Sequence, residues 1–174
     1  MALLRPLFTA REDRDPDMVA QDRQKFERLL EAACYLSDMC WNEHEDVRGG
    51  LGARRVLGLP VNCITHKERV WLAVAIYHRY VGRKTNKSRP HELSFILSRR
   101  RRAEATTIGL GLRFALTFSG GTSNSLEKLR FTNDEKRLTL HVDPSCAALV
   151  DSHTLRRFQQ LAQSVNLVPE IQGG

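Results

Sequence analysis

The stretch from Val70 to Tyr80, VWLAVAIYHRY, is apolar nearly all round. Trp71, Leu72, Val74, Ala75, Ile76 and Tyr77 leave no broad polar face, so a helix built from them must be covered on several sides. That requirement places it in the middle of a helical bundle. Thr65-His66-Lys67-Glu68 ahead of it reads as a capping box, with Thr65 as N-cap and Glu68 reaching back from the third helical position. Gly82 behind it is a natural stop. The rest of the chain has to supply the cover.

Asp15-Pro16 offers an N-cap carboxylate and a proline at the first helical position. From there Phe26, Leu29, Leu30, Ala33, Leu36 and Cys40 recur at helical spacing, which predicts a first long helix to about Met39. Polar residues and then Gly49, Gly50 and Gly52 predict a loop over Trp41 to Gly52. A short helix is expected over Ala53–Leu57 before Gly58-Leu59-Pro60 breaks it. Arg83 to Pro90 reads as a basic connector, followed by a short apolar turn at Leu93, Phe95, Ile96 and Leu97. The next helix runs from about Ala103 to Phe118, with Ile108, Leu112, Ala115 and Leu116 inward. Gly109 and Gly111 within it are explained by close helix packing. Ser119-Gly120-Gly121-Thr122-Ser123 ends it.

From Leu126 the hydrophobic period changes to two. Leu129 and Phe131, then Leu138, Leu140 and Val142, alternate with polar residues around Thr132 to Lys136, as a β-hairpin requires. Asp143-Pro144 and Asp151 are helix starts, and Leu155, Phe158, Leu161, Ala162 and Val165 form an amphipathic helix. Asn166 closes it, and Leu167 to Ile171 can add a final edge strand. The expected fold class is therefore mainly α with an α+β appendage: a helical bundle over residues 1–121, then a small ββαβ unit over 122–174. The appendage is too small to be stable alone and should dock on the helices.

With 41% apolar and 27% charged residues the chain reads as globular. No apolar run approaches the roughly 20 residues that span a bilayer. Met1 to Phe8 lacks the apolar core and cleavage site of a signal peptide, so a cytoplasmic location and no membrane partner are expected. Four cysteines (Cys34, Cys40, Cys63, Cys146) have no zinc-type spacing and read as buried thiols. The net charge of +7 is concentrated. Between Arg79 and Arg102 there are nine Lys or Arg against one acid, Glu92, leaving the remainder near neutral. Such a segment attracts polyanions: nucleic acid through the Arg99–Arg102 run, or polyphosphate.

The common active-site signatures are missing: the chain contains no P-loop, no GxSxG, no HExxH and no Rossmann glycine pattern. Cys40 with His44 would be a nucleophile pair without an orienting group or oxyanion element. A metal phosphohydrolase of the HD type needs a His, a His-Asp pair and a distal Asp. Here Ser37-Asp38 stands where His-Asp would. Asp38 is the one weak metal candidate, and Leu112 to Thr117 carries no distal carboxylate. One carboxylate does not hold a catalytic divalent ion, so neither a metal nor a catalytic residue is assigned. The rival reading is a metal-dependent phosphohydrolase acting on nucleotides such as (p)ppGpp. A second group of residues, His44, Arg48, Arg54, Arg55, His66, Arg69, Arg79 and Arg113, lies near helix ends or loops around the same centre and suits a groove for a polyanion. Arg83 and Lys84 in the connector extend it. The alternative for each arginine is an ion pair nearby, Arg48 with Asp46 or Glu45 and Arg69 with Glu68.

The order of these segments resembles the Ppx/GppA family of exopolyphosphatases and guanosine pentaphosphate phosphohydrolases. Ala32 to Trp41, AACYLSDMCW, is similar to the family's AA-x-L-x-D-I-G-W segment, and His44 to Gly49, HEDVRG, to its H-P-D-Y-R-G segment. Arg69 to Tyr77 is similar to its R-x-x-L-A-L-A-V-Y helix, with Arg79 retained. Leu110 to Ala115 resembles its L-G-x-x-L-R-L-A, and the hairpin, helix and strand follow in order. Ser37 for His, Met39-Cys40 for Ile-Gly and Tyr80 for a frequent His are departures. The resemblance implies an HD-domain-like C-terminal half that binds inorganic polyphosphate and dimerises. His44, Arg48, Arg69, Arg79, Arg83, Lys84 and Arg113 would be the polyphosphate-binding residues. It further implies that hydrolysis belongs to an N-terminal pair of actin-like domains, carrying Mg²⁺, of which Met1–Arg14 would be the trailing linker. No cofactor is expected in the chain itself.

Overall fold

The computed structural model describes residues 2–7, 16–83, 92–122 and 124–173. The N-cap expected at Asp15 and most of the basic connector, Lys84 included, lie outside the described residues. The chain divides into two compact units, one formed by Arg14–Leu110, the other by the first residues together with Gly111–Gly174.

The helix that the all-round apolar stretch demands is the centre of the first unit. α1 (Pro16–Leu36) and α2 (Arg48–Gly58) both pack against α3 (His66–Val81), whose residues from Val70 to Ile76 are all buried. Its capping box is present as expected: the Thr65 hydroxyl accepts from the Glu68 N–H at 3.2 Å, and the Glu68 carboxylate accepts from the Thr65 N–H at 2.7 Å. Gly82 ends it with φ +74°, a conformation that costs glycine nothing.

α2 differs from the expectation. It begins at Arg48 and not near Ala53, so Gly49, Gly50 and Gly52 lie inside a helix. Helix propensity alone argues against three glycines there. Packing overrides it: a Cβ on Gly49 would stand 2.4 Å from the Val81 side chain, and one on Gly52 would stand 3.0 Å from Ile76. The small residues let α2 lie close on α3, which a run of alanines would prevent.

α1 ends at Leu36, short of Met39, and the chain continues through turns that bond three residues back: Ser37 to Cys34, Met39 to Leu36, Trp41 to Asp38 and Glu43 to Cys40. α4 (Arg99–Ser119) begins earlier than expected, and the arginine run forms its first turn. Its glycine behaves as read from the sequence. A Cβ on Gly109 would meet the Ala75 carbonyl oxygen at 2.3 Å, so α3 and α4 touch backbone to backbone there.

The second unit holds the three-stranded sheet. β1 (Leu129–Asn133) and β2 (Arg137–Val142) form the hairpin with Leu129 opposite Val142, and β3 (Val168–Gly173) lies parallel to β2 after α5 (Ser152–Ser164). Asp134 closes the hairpin turn by accepting from the Lys136 and Arg137 N–H groups, which holds its carboxyl below the usual range. Asp151 caps α5 through the Thr154 N–H, as expected of it. Phe114, Phe131 and Phe158 meet within 6 Å of one another and Phe118 stacks on Phe114, filling the space between helix and sheet. A mainly helical chain with a ββαβ appendage is what the change of period predicts. The thiols are less uniform than expected: Cys40 and Cys146 are buried, Cys34 is half-buried and Cys63 is exposed.

Candidate functional site

Tyr80, near the end of α3, organises the site in the first unit. Its ring is buried, and its hydroxyl donates to the Ser37 carbonyl at 2.8 Å while accepting from the Cys40 N–H at 3.0 Å. Burial pushes the phenol's pKa up, against the lowering effect of the Cys40 N–H and Arg79, so it stays a proton donor. One side chain thereby pins the turn that follows α1 to the end of α3. Ser37 is spent inside that turn, its hydroxyl donating to the Cys34 carbonyl at 2.7 Å.

Two guanidinium groups approach the same ring. Arg79 lies 4.2 Å and Arg48 5.6 Å from its centroid, both within cation–π range. Arg79 is only 15% exposed and donates to Asp38 Oδ1 at 2.9 Å, while Asp38 is 62% exposed. Asp38 thus pairs with an arginine, and its carboxylate faces solvent. Among the described residues no group of three His, Cys, Asp or Glu is placed to hold a metal ion. Asp38 has an arginine as its neighbour and no second His, Cys, Asp or Glu group beside it among the described residues.

Arg48 is the first residue of α2, and its buried Nε finds no hydrogen-bond partner among the described residues. The pairing with Asp46 or Glu45 considered from sequence does not form. At this helix end Val47 provides no side-chain cap, and the first turn contains no acid. The N–H groups of Gly49 and Gly50 find no acceptor among the described residues. Gly49 is buried and Gly50 half-buried, and amide donors at the positive end of a helix dipole, beside a guanidinium, are a setting for an anion. No sequence signal marks it beyond Arg-Gly-Gly, because the glycines read as a loop.

The other arginines in the expected set have different surroundings. Arg69 donates to the carbonyls of Leu59 and Val61, tying down the α2–α3 loop, and Glu68 pairs with Arg28 at 2.7 Å instead. Arg55 bonds the Met39 carbonyl, the Cys40 sulfur and Glu43. His44 is exposed at 3.6 Å from Asp46, and Arg83 is exposed just beyond α3. Arg113 is half-buried in the second unit, and Lys84 lies outside the described residues. In the Arg99–Arg102 run, Arg101 pairs with Glu104 and lies 5.6 Å over Trp71, and Arg102 donates to the Ser94 and Leu97 carbonyls. Arg99 and Arg100 are the exposed half of that run. Among the described residues no helix is long and apolar enough to cross a membrane.

No curated protein matches the chain. A family described as exopolyphosphatase, C-terminal, matches residues 18–167, which takes in both units from α1 to the end of α5. That match covers most of the chain, which belongs to the exopolyphosphatase C-terminal family.

Proposed function

We propose that this chain is the polyphosphate-binding part of an exopolyphosphatase-type protein, an HD-like helical domain whose metal-ligand positions no longer bind metal. The observation that carries this reading is Arg48 at the start of α2, a helix end with no side-chain cap and no acid in its first turn, where the Gly50 N–H finds no acceptor among the described residues. A guanidinium fork matches two phosphate oxygens and the helix end adds amide donors, while Arg79 on the same tyrosine ring is paired with Asp38. Membership of the exopolyphosphatase C-terminal family supports polyphosphate as the anion. In this reading the domain holds the anionic chain, and phosphoanhydride hydrolysis takes place in an actin-like phosphatase half that supplies Mg²⁺. Homodimerisation and a cytoplasmic setting belong to the same proposal.

The test is binding of long-chain polyphosphate to the purified protein at several salt concentrations. Because each phosphate contact releases counterions, affinity should fall steeply between 50 and 200 mM salt. Arg48→Ala should weaken binding at least fivefold at low salt, about 1 kcal/mol or more for a charge-assisted contact, and should flatten the salt dependence. Equal affinity of the wild type and Arg48→Ala at 50 mM salt would remove the assignment.

A further inference from the structure

The turns after α1 also present a stripe of exposed side chains. From residue 34 to residue 41 burial follows a period of three: Ser37 and Cys40 are inside, while Tyr35, Asp38 and Trp41 are outside. The hydrogen bonds explain this, since each closes three residues back and turns of that kind bring residues i and i+3 onto one side. Tyr35 is 82% and Trp41 72% exposed. Large aromatic side chains left this far in water are unusual, and the same two residue types dominate the binding energy of protein interfaces.

Charge says what would cover them. Between Glu31 and Val47 the chain has five acids and no lysine or arginine. Asp38 pairs with Arg79 and Glu43 with Arg55, which leaves Glu31, Glu45 and Asp46 without an arginine partner among the described residues. Asp38 stands between the two aromatics and uses Oδ1 for Arg79, leaving Oδ2 without a partner among the described residues. Glu31, Glu45 and Asp46 are exposed around the stripe. A guanidinium or ammonium group would find an aromatic face, a carboxylate, and a second aromatic face in succession.

The spacing narrows the shape of the partner. Three residues of such a turn advance about 6 Å, close to the roughly 6.6 Å between same-side residues of an extended peptide. We propose that Tyr35, Asp38 and Trp41 form a docking stripe for an extended, arginine- or lysine-rich peptide segment of a partner protein, with basic residues at alternate positions.

The experiment titrates the full chain into a labelled peptide of alternating arginine and serine and follows anisotropy. Trp41→Ala and, independently, Tyr35→Ala should each raise Kd at least tenfold, and Asp46→Lys should raise it severalfold. Circular dichroism of each variant confirms the fold, and both aromatic sites are exposed enough to be replaced without disturbing the core. Unchanged peptide affinity in both aromatic variants would overturn the proposal. So would an oligonucleotide that binds and is lost with Trp41→Ala, or sedimentation equilibrium showing self-association that Trp41→Ala abolishes, because the stripe would then belong to RNA or to a second copy.

Discussion

At the scale of single residues, Tyr80 couples the most structure to the least sequence signal. It lies 43 residues from Ser37 and 40 from Cys40, and its hydroxyl closes the contact to both. Tyr80→Phe keeps the ring and its two arginine neighbours but removes both hydrogen bonds, leaving a buried carbonyl and amide without that partner. The expected loss is about 1–3 kcal/mol of unfolding free energy, measured by urea denaturation. Phosphate affinity should fall with it if the turn after α1 positions Arg79 through Asp38. A stability within about 0.3 kcal/mol of the wild type would show that water replaces the hydroxyl at no cost.

At the scale of elements, glycines divide by what faces them. Gly50 has nothing within 4 Å of a built Cβ, whereas Gly109 has the Ala75 carbonyl oxygen at 2.3 Å and the Arg79 backbone nitrogen at 3.0 Å. Gly50→Ala should therefore gain helix propensity and stabilise α2 by about 0.5–1 kcal/mol. Gly109→Ala gains the same propensity but must push α3 and α4 apart. It should be destabilising by about 1–3 kcal/mol, because backbone atoms cannot rotate out of the way. Thermal melts of the two variants should move in opposite directions. The expectation of close packing at Gly109 came from its place in a helical pattern, and the geometry agrees. The loop expected over Gly49 to Gly52 failed for the converse reason: propensity is local, while the contacts with Val81 and Ile76 come from another helix.

At the scale of the whole molecule, the response to pH follows from which groups are buried. Burial lowers the His78 pKa, opposed by the hydrogen bond in which its Nδ1–H donates to the Gly82 carbonyl at 3.0 Å. Its folded pKa is thus below the unfolded value of about 6.5, so the folded state binds fewer protons. His78 imposes no penalty above that pH, and the penalty grows as pH falls below it. Unfolding free energy should decline between pH 7.5 and 5.5, and His78→Gln should make that decline shallower even if its stability at pH 7.5 is lower. Glu68 adds a second step. Its burial raises the pKa, but the Thr65 hydrogen bonds and Arg28 outweigh that and lower it overall. That stabilisation is present above about pH 4.3 and disappears as the pH falls through the folded value. Denaturant titrations at half-unit pH steps separate the two ranges.

Periodicity and local chemistry determined the class of the fold. The apolar run in α3, the capping box at Thr65, the switch to period two after Ser123 and the aspartates before two helical turns are all read from neighbours in the chain, and all are formed by neighbours. The ordered motifs likewise pointed to the family. The candidate site was legible only in its ingredients. Arg48, Arg79 and Asp38 could be named, but the sequence did not distinguish Arg79 lying against Asp38 and Tyr80 from Arg69 tied to loop carbonyls. It also did not show that Arg-Gly-Gly opens a helix. Those outcomes depend on contacts between residues about forty positions apart, or on how closely two helices approach, and such contacts exist only once the chain has packed.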